Sequence, residues 1–375
     1  MEYPDGRVAY LSPQSRSNLY SLIKDAKTHN LSIALGAGVS ASIGLPTWNR
    51  LLKRICYSFL EEWIFKIGQG KSDYNTPPKE LSIGFTQGYE LFEMENISDV
   101  FQSIDFADVT FYVEGCKMNE SYGKKMNETF QKVSSLHQSF SADFMKKIMS
   151  SELTITAQMI KNRIRKSDWN YLVRKALYQS YEGSPLKLHS SELYNSIISI
   201  IKTTDVSTII NYNYDDTLFH VLNENKIEFH NLYEKSMKHY NKNIYYPHGY
   251  MPMKGGVSTE IVLSEQDYQQ QGAQLDLWTN NIQISTYSTT SCIFLGVSLQ
   301  DANMRRILNI CRSSSKYYHY AFLPTSGDDE VSVMLDALFD ADLFRLGIKV
   351  IRYPIDNNYE KLPQLLTFIA ENTIK

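Results

Sequence analysis

The chain has 375 residues, and its 38 Lys+Arg against 41 Asp+Glu leave a formal charge of −3, too balanced for a dedicated polyanion binder. Hydrophobic residues at 43% and aromatics at 13% exclude a largely disordered chain and allow a sizeable core. That length suits two modest domains, or one large domain carrying an insertion.

The first predicted element is an amphipathic helix over 15–28, followed by a short apolar run, Leu31-Ser32-Ile33-Ala34-Leu35, that enters Gly36-Ala37-Gly38-Val39-Ser40. Beyond Gly44-Leu45-Pro46, Thr47 caps a helix opening at Trp48, with Leu51, Leu52, Ile55, Phe59 and Leu60 as its apolar stripe. From about 58 to 205 helical periodicity dominates, around a polar loop at 71–80 and a helix break near Ser167. Strand–helix alternation then returns. Strands are expected at 207–211, 244–246, 261–263, 292–295, 318–323 and 348–352, and helices at 216–223, 265–287, 301–312, 331–344 and 360–372. The expected fold class is therefore α/β, a Rossmann-type doubly wound parallel sheet interrupted by a helical insertion. The expected domains are 1–57 with 206–375 for the sheet, and 58–205 for the insertion.

Cys56, Cys116, Cys292 and Cys311 stand far apart, with no C-x-x-C pair for a structural zinc and no disulfide framework. The N-terminus lacks the basic-then-apolar run of a signal peptide, and no segment approaches the ~20 apolar residues of a membrane span. A cytoplasmic chain in a reducing compartment, without metal or membrane contact, is the expectation. The basic run Lys161, Arg163, Arg165, Lys166, Arg174 and Lys175 reads as a solvated helix face, so direct nucleic-acid binding is not expected.

Four strand ends carry the chemistry. Gly36-Ala37-Gly38 either lets a pyrophosphate approach backbone N–H groups or is only a tight turn; the third glycine of a dinucleotide fingerprint is missing, since Gly44 comes too late. Asn213-Tyr214-Asp215-Asp216 follows an apolar strand, at the sheet end where open parallel sheets bind ligands. Asp215 or Asp216 could equally serve as the N-cap of the next helix. His248-Gly249 ends a short strand with its backbone pinned by Pro247 and Gly249, as a catalytic or a structural histidine. Gly296-Val297-Ser298 precedes Asp301 and Asn303, with Asp301 also readable as a helix cap. A serine nucleophile elbow is incomplete at both Ser40 and Ser298, because Ser42 and Gln300 occupy the position of its last glycine.

In this order the four elements resemble the sirtuin family, and more closely the sirtuin-like domains of prokaryotic antiviral defence systems. The resemblance covers roughly 30–46 and 207–353. It implies NAD as the substrate, with Gly36, Ala37, Gly38, Ser40 and Pro46 on the pyrophosphate and ribose, and Gly296 and Ser298 on the adenosine side. It further implies Asn213, His248 and Asp215 as the catalytic set, with Asn213 holding ribose and water, His248 at the ribose hydroxyls or relaying a proton, and Asp215 at the carboxamide. Two departures stand out: the four-cysteine zinc module of deacylating sirtuins cannot be built here, and Thr47-Trp48-Asn49 replaces the family's Asp-Phe-Arg. Both favour plain NAD hydrolysis to nicotinamide and ADP-ribose, in antiphage defence, over protein deacylation. A non-catalytic NAD or ADP-ribose binding module is the alternative reading. The resemblance also implies a homo-oligomer and a HerA-type ATPase/helicase partner, with the insertion as the candidate assembly surface.

Overall fold

A computed structural model describes residues 6–68, 70–72, 75–80, 152–178, 191–254, 259–313, 315–355 and 360–374. Its centre is β1 (Leu31–Leu35), all five residues of which are buried. A strand covered on both faces must be apolar without alternation, and LSIAL meets that demand except at Ser32, whose hydroxyl bonds Thr290 Oγ1 at 2.7 Å. Around it lie β2 (Thr208–Asn211), β3 (His230–Leu232), β4 (Asn243–Tyr245), β5 (Ser291–Leu295), β6 (His319–Pro324) and β7 (Ile348–Tyr353). They form one seven-stranded sheet in the order β3-β4-β2-β1-β5-β6-β7. Every pair is parallel.

Helices cover both sides of the sheet. On one side Pro13–Thr28 packs on β7 and on Lys361–Thr373, which in turn packs on Glu192–Thr203. On the other, Ala34, Ile210, Cys292, Phe294, Ala321, Leu323 and Val350 meet Tyr287, Met304, Ile307 and Leu308 of the helices Trp278–Thr289 and Ala302–Arg312. The alternate strand positions supply each face, as the pleat requires.

By backbone contacts the chain divides into two compact units, one of residues 1–47, 183–262 and 267–375, the other of 48–182 and 263–266. The helix Glu192–Thr203, read from sequence as part of a 58–205 insertion, lies in the first unit because its apolar stripe packs on Lys361–Thr373. In the second unit Trp48–Gly68 packs on Leu153–Arg163 and Lys166–Tyr178, and the Arg54 guanidinium bonds Ala176 O at 3.2 Å. Several members of the basic run have partners in this unit. Arg163 holds Pro77 O at 2.7 Å, Arg165 pairs with Asp168 at 3.1 Å, and Lys161 sits 6.0 Å from the Trp169 ring centre. The centre of the predicted insertion, 81–151 with Cys116, lies outside the described residues, as does 179–190.

Three sequence expectations differ from the structure. The segment 261–263 is not a strand; it brackets the loop after β4 through single bonds, Val262 N–H to His248 O at 2.8 Å and Thr259 N–H to Tyr250 O at 2.9 Å. The helix expected over 265–287 is two, Glu265–Ala273 and Trp278–Thr289, because the Asn280 side chain takes Gln271 O and Gln274 O at 2.9 and 2.7 Å and ends the first. Finally, β3 was not expected at all. Three residues pairing with β4 at the sheet edge are too short to leave a pattern.

His319, at the start of β6, shows how tightly the core holds its polar groups. Its Nδ1 accepts the Cys292 N–H at 3.1 Å, and burial plus the nearby Arg312 charge push its pKa down to about 4. The unfolded chain binds that proton near 6.5 and the folded chain does not, so stability falls as pH drops from 6.5 towards about 4. The loss is up to about 3 kcal/mol. His319→Asn, which keeps an acceptor but cannot titrate, should lose less stability between pH 7 and 4.5 in urea unfolding. Equal losses in the two proteins would refute the assignment.

Candidate functional site

The strands carrying the predicted motifs, β4, β2, β1 and β5, are consecutive in the sheet. Chain order reverses at β1, with β2 on one side and β5 on the other, which opens a crevice beyond the strand ends. Register aligns the motifs there. Leu35 pairs with both Asn211 and Leu295, so Gly36 and Gly296 are the first residues past adjacent strands. Ile210 pairs with Tyr245, so Asn213 and His248 stand equally far beyond neighbouring strands.

Side chains join the β1 and β2 turns. Asn213 Nδ2 donates to Gly36 O at 3.0 Å and to Ser40 Oγ at 2.9 Å, and Ser40 Oγ donates to Asp215 Oδ2 at 2.7 Å. The carbonyl of Gly36 can only accept, which fixes the amide orientation and turns Asn213 Oδ1 the other way. Asp215 Oδ1 accepts the Thr217 N–H at 3.1 Å and the Thr217 hydroxyl. Burial raises the Asp215 pKa, while the hydrogen bonds from Thr217 and Ser40 pull it back. Of the two aspartates, Asp215 therefore caps the helix Thr217–Glu224 through its side chain. Asp216, formally the N-cap residue, instead bonds His220 Nε2 at 3.0 Å and the Met253 N–H at 3.2 Å.

His248 is 7% exposed. Tyr212, next to Asn213, meets its ring edge-on at a centroid distance of 5.0 Å, and Tyr268 does so at 5.8 Å. Burial lowers its pKa below 6.5, against a smaller opposing pull from the Asp301 carboxylate, so the imidazole is neutral at pH 7. Neither of its nitrogens, nor Asn213 Oδ1, has a protein hydrogen-bond partner among the described residues. These are the polar atoms a ligand in the crevice can engage. The backbone at His248 is held firmly: Gln271 Nε2 donates to Pro247 O at 2.9 Å, and Gly249 takes a φ of +99°. A Cβ on Gly249 would collide with Glu260 O and lie 2.9 Å from Ile261 Cα.

The glycines of the β1 and β5 turns face one another. Gly36 N–H bonds Leu295 O and Gly38 N–H bonds Gly296 O, both at 3.0 Å. A Cβ on Gly38 would lie 2.8 Å from Gly296 Cα, and one on Gly36 would strike Gly296 O. Their smallness thus serves backbone-to-backbone packing, and of the three N–H groups at Gly36, Ala37 and Gly38 only that of Ala37 is left by β5. Ala37–Ala41 is a five-residue helix, too short for a substantial dipole. Pro46 is buried in the loop that follows it, whereas Ser298 is exposed at the β5 turn. Beside Ser298, Leu299 is fully buried with a left-handed φ of +57°, a strained position for a branched side chain. Asp301 caps the helix Ala302–Arg312 through the Met304 N–H at 2.6 Å.

Sequence reasoning missed several residues that shape the site. Tyr268 and Gln271 both act on the His248 loop from one face of the helix Glu265–Ala273, and nothing local in the sequence points from them to His248. An amide chain extends from there: Asn303 Nδ2 donates to Asn280 Oδ1 at 3.1 Å, and Arg306 to Asn303 Oδ1 at 2.8 Å. It ties the His248 loop to the helix after β5. Tyr212 hydroxyl is held by Gln283 Oε1 at 2.5 Å and Tyr287 OH at 2.7 Å, which anchors the ring against His248.

Among the described residues, no group of His, Cys, Asp and Glu could hold a metal ion, and no helix is long and apolar enough to cross a membrane. Residues 207–339 match a family model described as SIR2-like domain. That span contains Asn213, Asp215, His248, Gly296, Ser298, Asp301 and Asn303, while β1 and its glycine turn lie before it. No curated protein matches the chain.

Proposed function

We propose that the SIR2-like domain makes this chain an NAD glycohydrolase, which cleaves the nicotinamide–ribose bond to give nicotinamide and ADP-ribose. One observation carries the reading. Asn213 donates to Ser40 and Ser40 to Asp215 at the ends of β1 and β2, and the tyrosine preceding Asn213 contacts a neutral, buried His248.

The nicotinamide of NAD is a pyridinium. When its bond to the anomeric carbon breaks, the electron pair leaves on the ring nitrogen, so nicotinamide departs neutral and needs no acid. Water oxygen then bonds to that carbon and loses one proton. Neutral His248 accepts this proton and passes it to solvent. Asn213 Oδ1 orients the water or the ribose hydroxyls next to it. Asp215 is only 2% exposed and both its oxygens are engaged. Its part is to hold Ser40 and, through Ser40, the amide of Asn213. The Ala37 N–H and the loop to Pro46 take the pyrophosphate and ribose, with Gly296 and Ser298 towards the adenosine. The resemblance carries the reading on to an NAD-depleting effector of antiphage defence, acting as a homo-oligomer with a HerA-type ATPase/helicase partner.

The test is product analysis by mass spectrometry after incubation with NAD, for the chain alone and in its native assembly. Release of nicotinamide and ADP-ribose is expected. Binding of NAD with no turnover in either form would favour the ligand-sensing module, and loss of the acyl group from an acetyl-lysine peptide would favour a deacylase. Since burial lowers the His248 pKa from its ordinary 6.5, the acid limb of kcat/KM should be centred below pH 6.5. An acid limb centred above pH 6.5 would contradict a neutral buried base.

A further inference from the structure

The helix Glu265–Ala273 buries one residue, and that residue is polar. A helix is normally seated by an apolar stripe, yet here the inward position is Gln271, 3% exposed. Burying an amide is unfavourable unless it is hydrogen-bonded, so the bond it makes accounts for its place. Its Nε2 donates to Pro247 O at 2.9 Å, while its Oε1 is buried with no partner among the described residues. Pro247 O belongs to the peptide that joins Pro247 to His248. The next peptide is held as well, since the Val262 N–H donates to His248 O at 2.8 Å. Between two fixed peptides the imidazole keeps only its own side-chain torsions, and the Tyr212 and Tyr268 rings confine those.

Behind Gln271 the end of the helix is itself gripped. Asn280 Nδ2 donates to Gln271 O at 2.9 Å and to Gln274 O at 2.7 Å, and Arg306 Nη1 donates to Gly272 O. Asn303 joins these two residues: it accepts Arg306 Nη2 at 2.8 Å and donates to Asn280 Oδ1 at 3.1 Å. Asn280 and Asn303 are both buried. The guanidinium can only donate and the carbonyls can only accept, so each amide in the series has a single allowed orientation.

We propose that Gln271 is a positioning residue for His248, and that Asn280, Asn303 and Arg306 complete a buried clamp that sets the imidazole relative to the turn after β5. Sheet pairing cannot do this, because β2 and β1 separate β4 from β5. The clamp supplies the cross-tie, running from the His248 loop to the helix Ala302–Arg312, which follows Gly296 and Ser298 in the chain. One dinucleotide must meet both loops at once, and a reacting group misplaced by about 1 Å costs up to about 100-fold in rate. For its rate prediction the inference rests on the NAD hydrolysis proposed above; for the placement of the ring it stands without it.

The test is Gln271→Leu in the full chain, which keeps a buried side chain of similar size and removes the donor. Two readouts are taken. In NMR spectra of protein labelled at the histidine rings, the His248 signal is the one lost in His248→Ala. The groups that face this ring are the Asp301 carboxylate and the Tyr212 and Tyr268 rings, none of which the substitution alters. Freed from Gln271, the imidazole should leave the two tyrosines, so its signal should move and its titration midpoint should rise towards 6.5 as water reaches it, with the other histidines unchanged. In nicotinamide release, kcat should fall about 10- to 100-fold while KM for NAD stays close to wild type, the mark of lost alignment and not of lost binding. If Gln271→Leu does not fold, Asn303→Ala, two links away, should move the His248 signal in the same direction by less. A His248 signal and midpoint unchanged in the folded variant overturn the clamp whether or not the chain cleaves NAD, and so does a wild-type kcat. Should wild type leave NAD intact, the hydrolase reading fails and the NMR readout still decides the clamp.

Discussion

His248→Ala protein should release nicotinamide from NAD at least about 100-fold more slowly than wild type, the usual range for removal of a positioned general base. The imidazole is the only neutral titratable group of the crevice whose nitrogens are left without a protein partner among the described residues. Its backbone is fixed by Gln271 and by Gly249, and its ring lies between Tyr212 and Tyr268, so the loss of the side chain removes chemistry without unhinging the loop. A melting temperature close to wild type should accompany the rate loss. Asn213→Ala makes the contrasting case: it strips Gly36 O of one of its two donors and Ser40 Oγ of the amide that donates to it, so rate and stability should fall together. Nicotinamide release at the wild-type rate by a folded His248→Ala protein would end the hydrolytic proposal in its present form.

Gly296→Ala should lower the melting temperature by roughly 6–12 °C, equivalent to about 3 kcal/mol in a unit of this size. Gly296 has a φ of +62°, where an alanine costs about 1 kcal/mol from its own Cβ. That Cβ would also stand 2.5 Å from Val39 N and 2.9 Å from Gly38 Cα. These are backbone atoms in the turn of the neighbouring strand, which no rotamer change can move aside, and overpacking of this kind adds about 1–3 kcal/mol. The separation it forces falls between the β1 and β5 turns, so NAD affinity should decline with stability. Gly272→Ala is the control. Nothing lies within 4 Å of a Cβ there, and in a helix the exchange should be neutral or stabilising by up to about 1 kcal/mol. Should both variants melt with wild type, the three-glycine contact does not hold the turns.

The architecture of the sheet was open to reading from the chain because its signals are local. Runs such as Leu31–Leu35 and Ser291–Leu295 are too short and too uniformly apolar for a surface helix, and each ends at a glycine or an Asx cluster. Parallel strands separated by helices then leave few topologies, and the binding end of such a sheet is always the carboxyl end. The motifs are thus legible on strand ends from the sequence. Residues that act on those motifs from elsewhere could not. Gln271 reaches Pro247 across 24 positions and Asn303 reaches Asn280 across 23, and neither contact leaves a periodic trace.

By itself the sequence determined most of the strands and helices of the sheet and which side chains crowd the strand ends, since these follow from apolar periodicity and turn chemistry within a few neighbouring residues. Only the tertiary structure decided what those groups face. Gly36 and Gly38, which a sequence reader offers to phosphate, are spent on the backbone of Gly296, of two adjacent aspartates Asp215 does the capping, and the helix Glu330–Arg345 leaves Val331, Met334, Leu335 and Leu338 exposed. The partners that decide the first two, Gly296 for the glycines and Ser40 for Asp215, lie far away in sequence and are met only once the chain has folded.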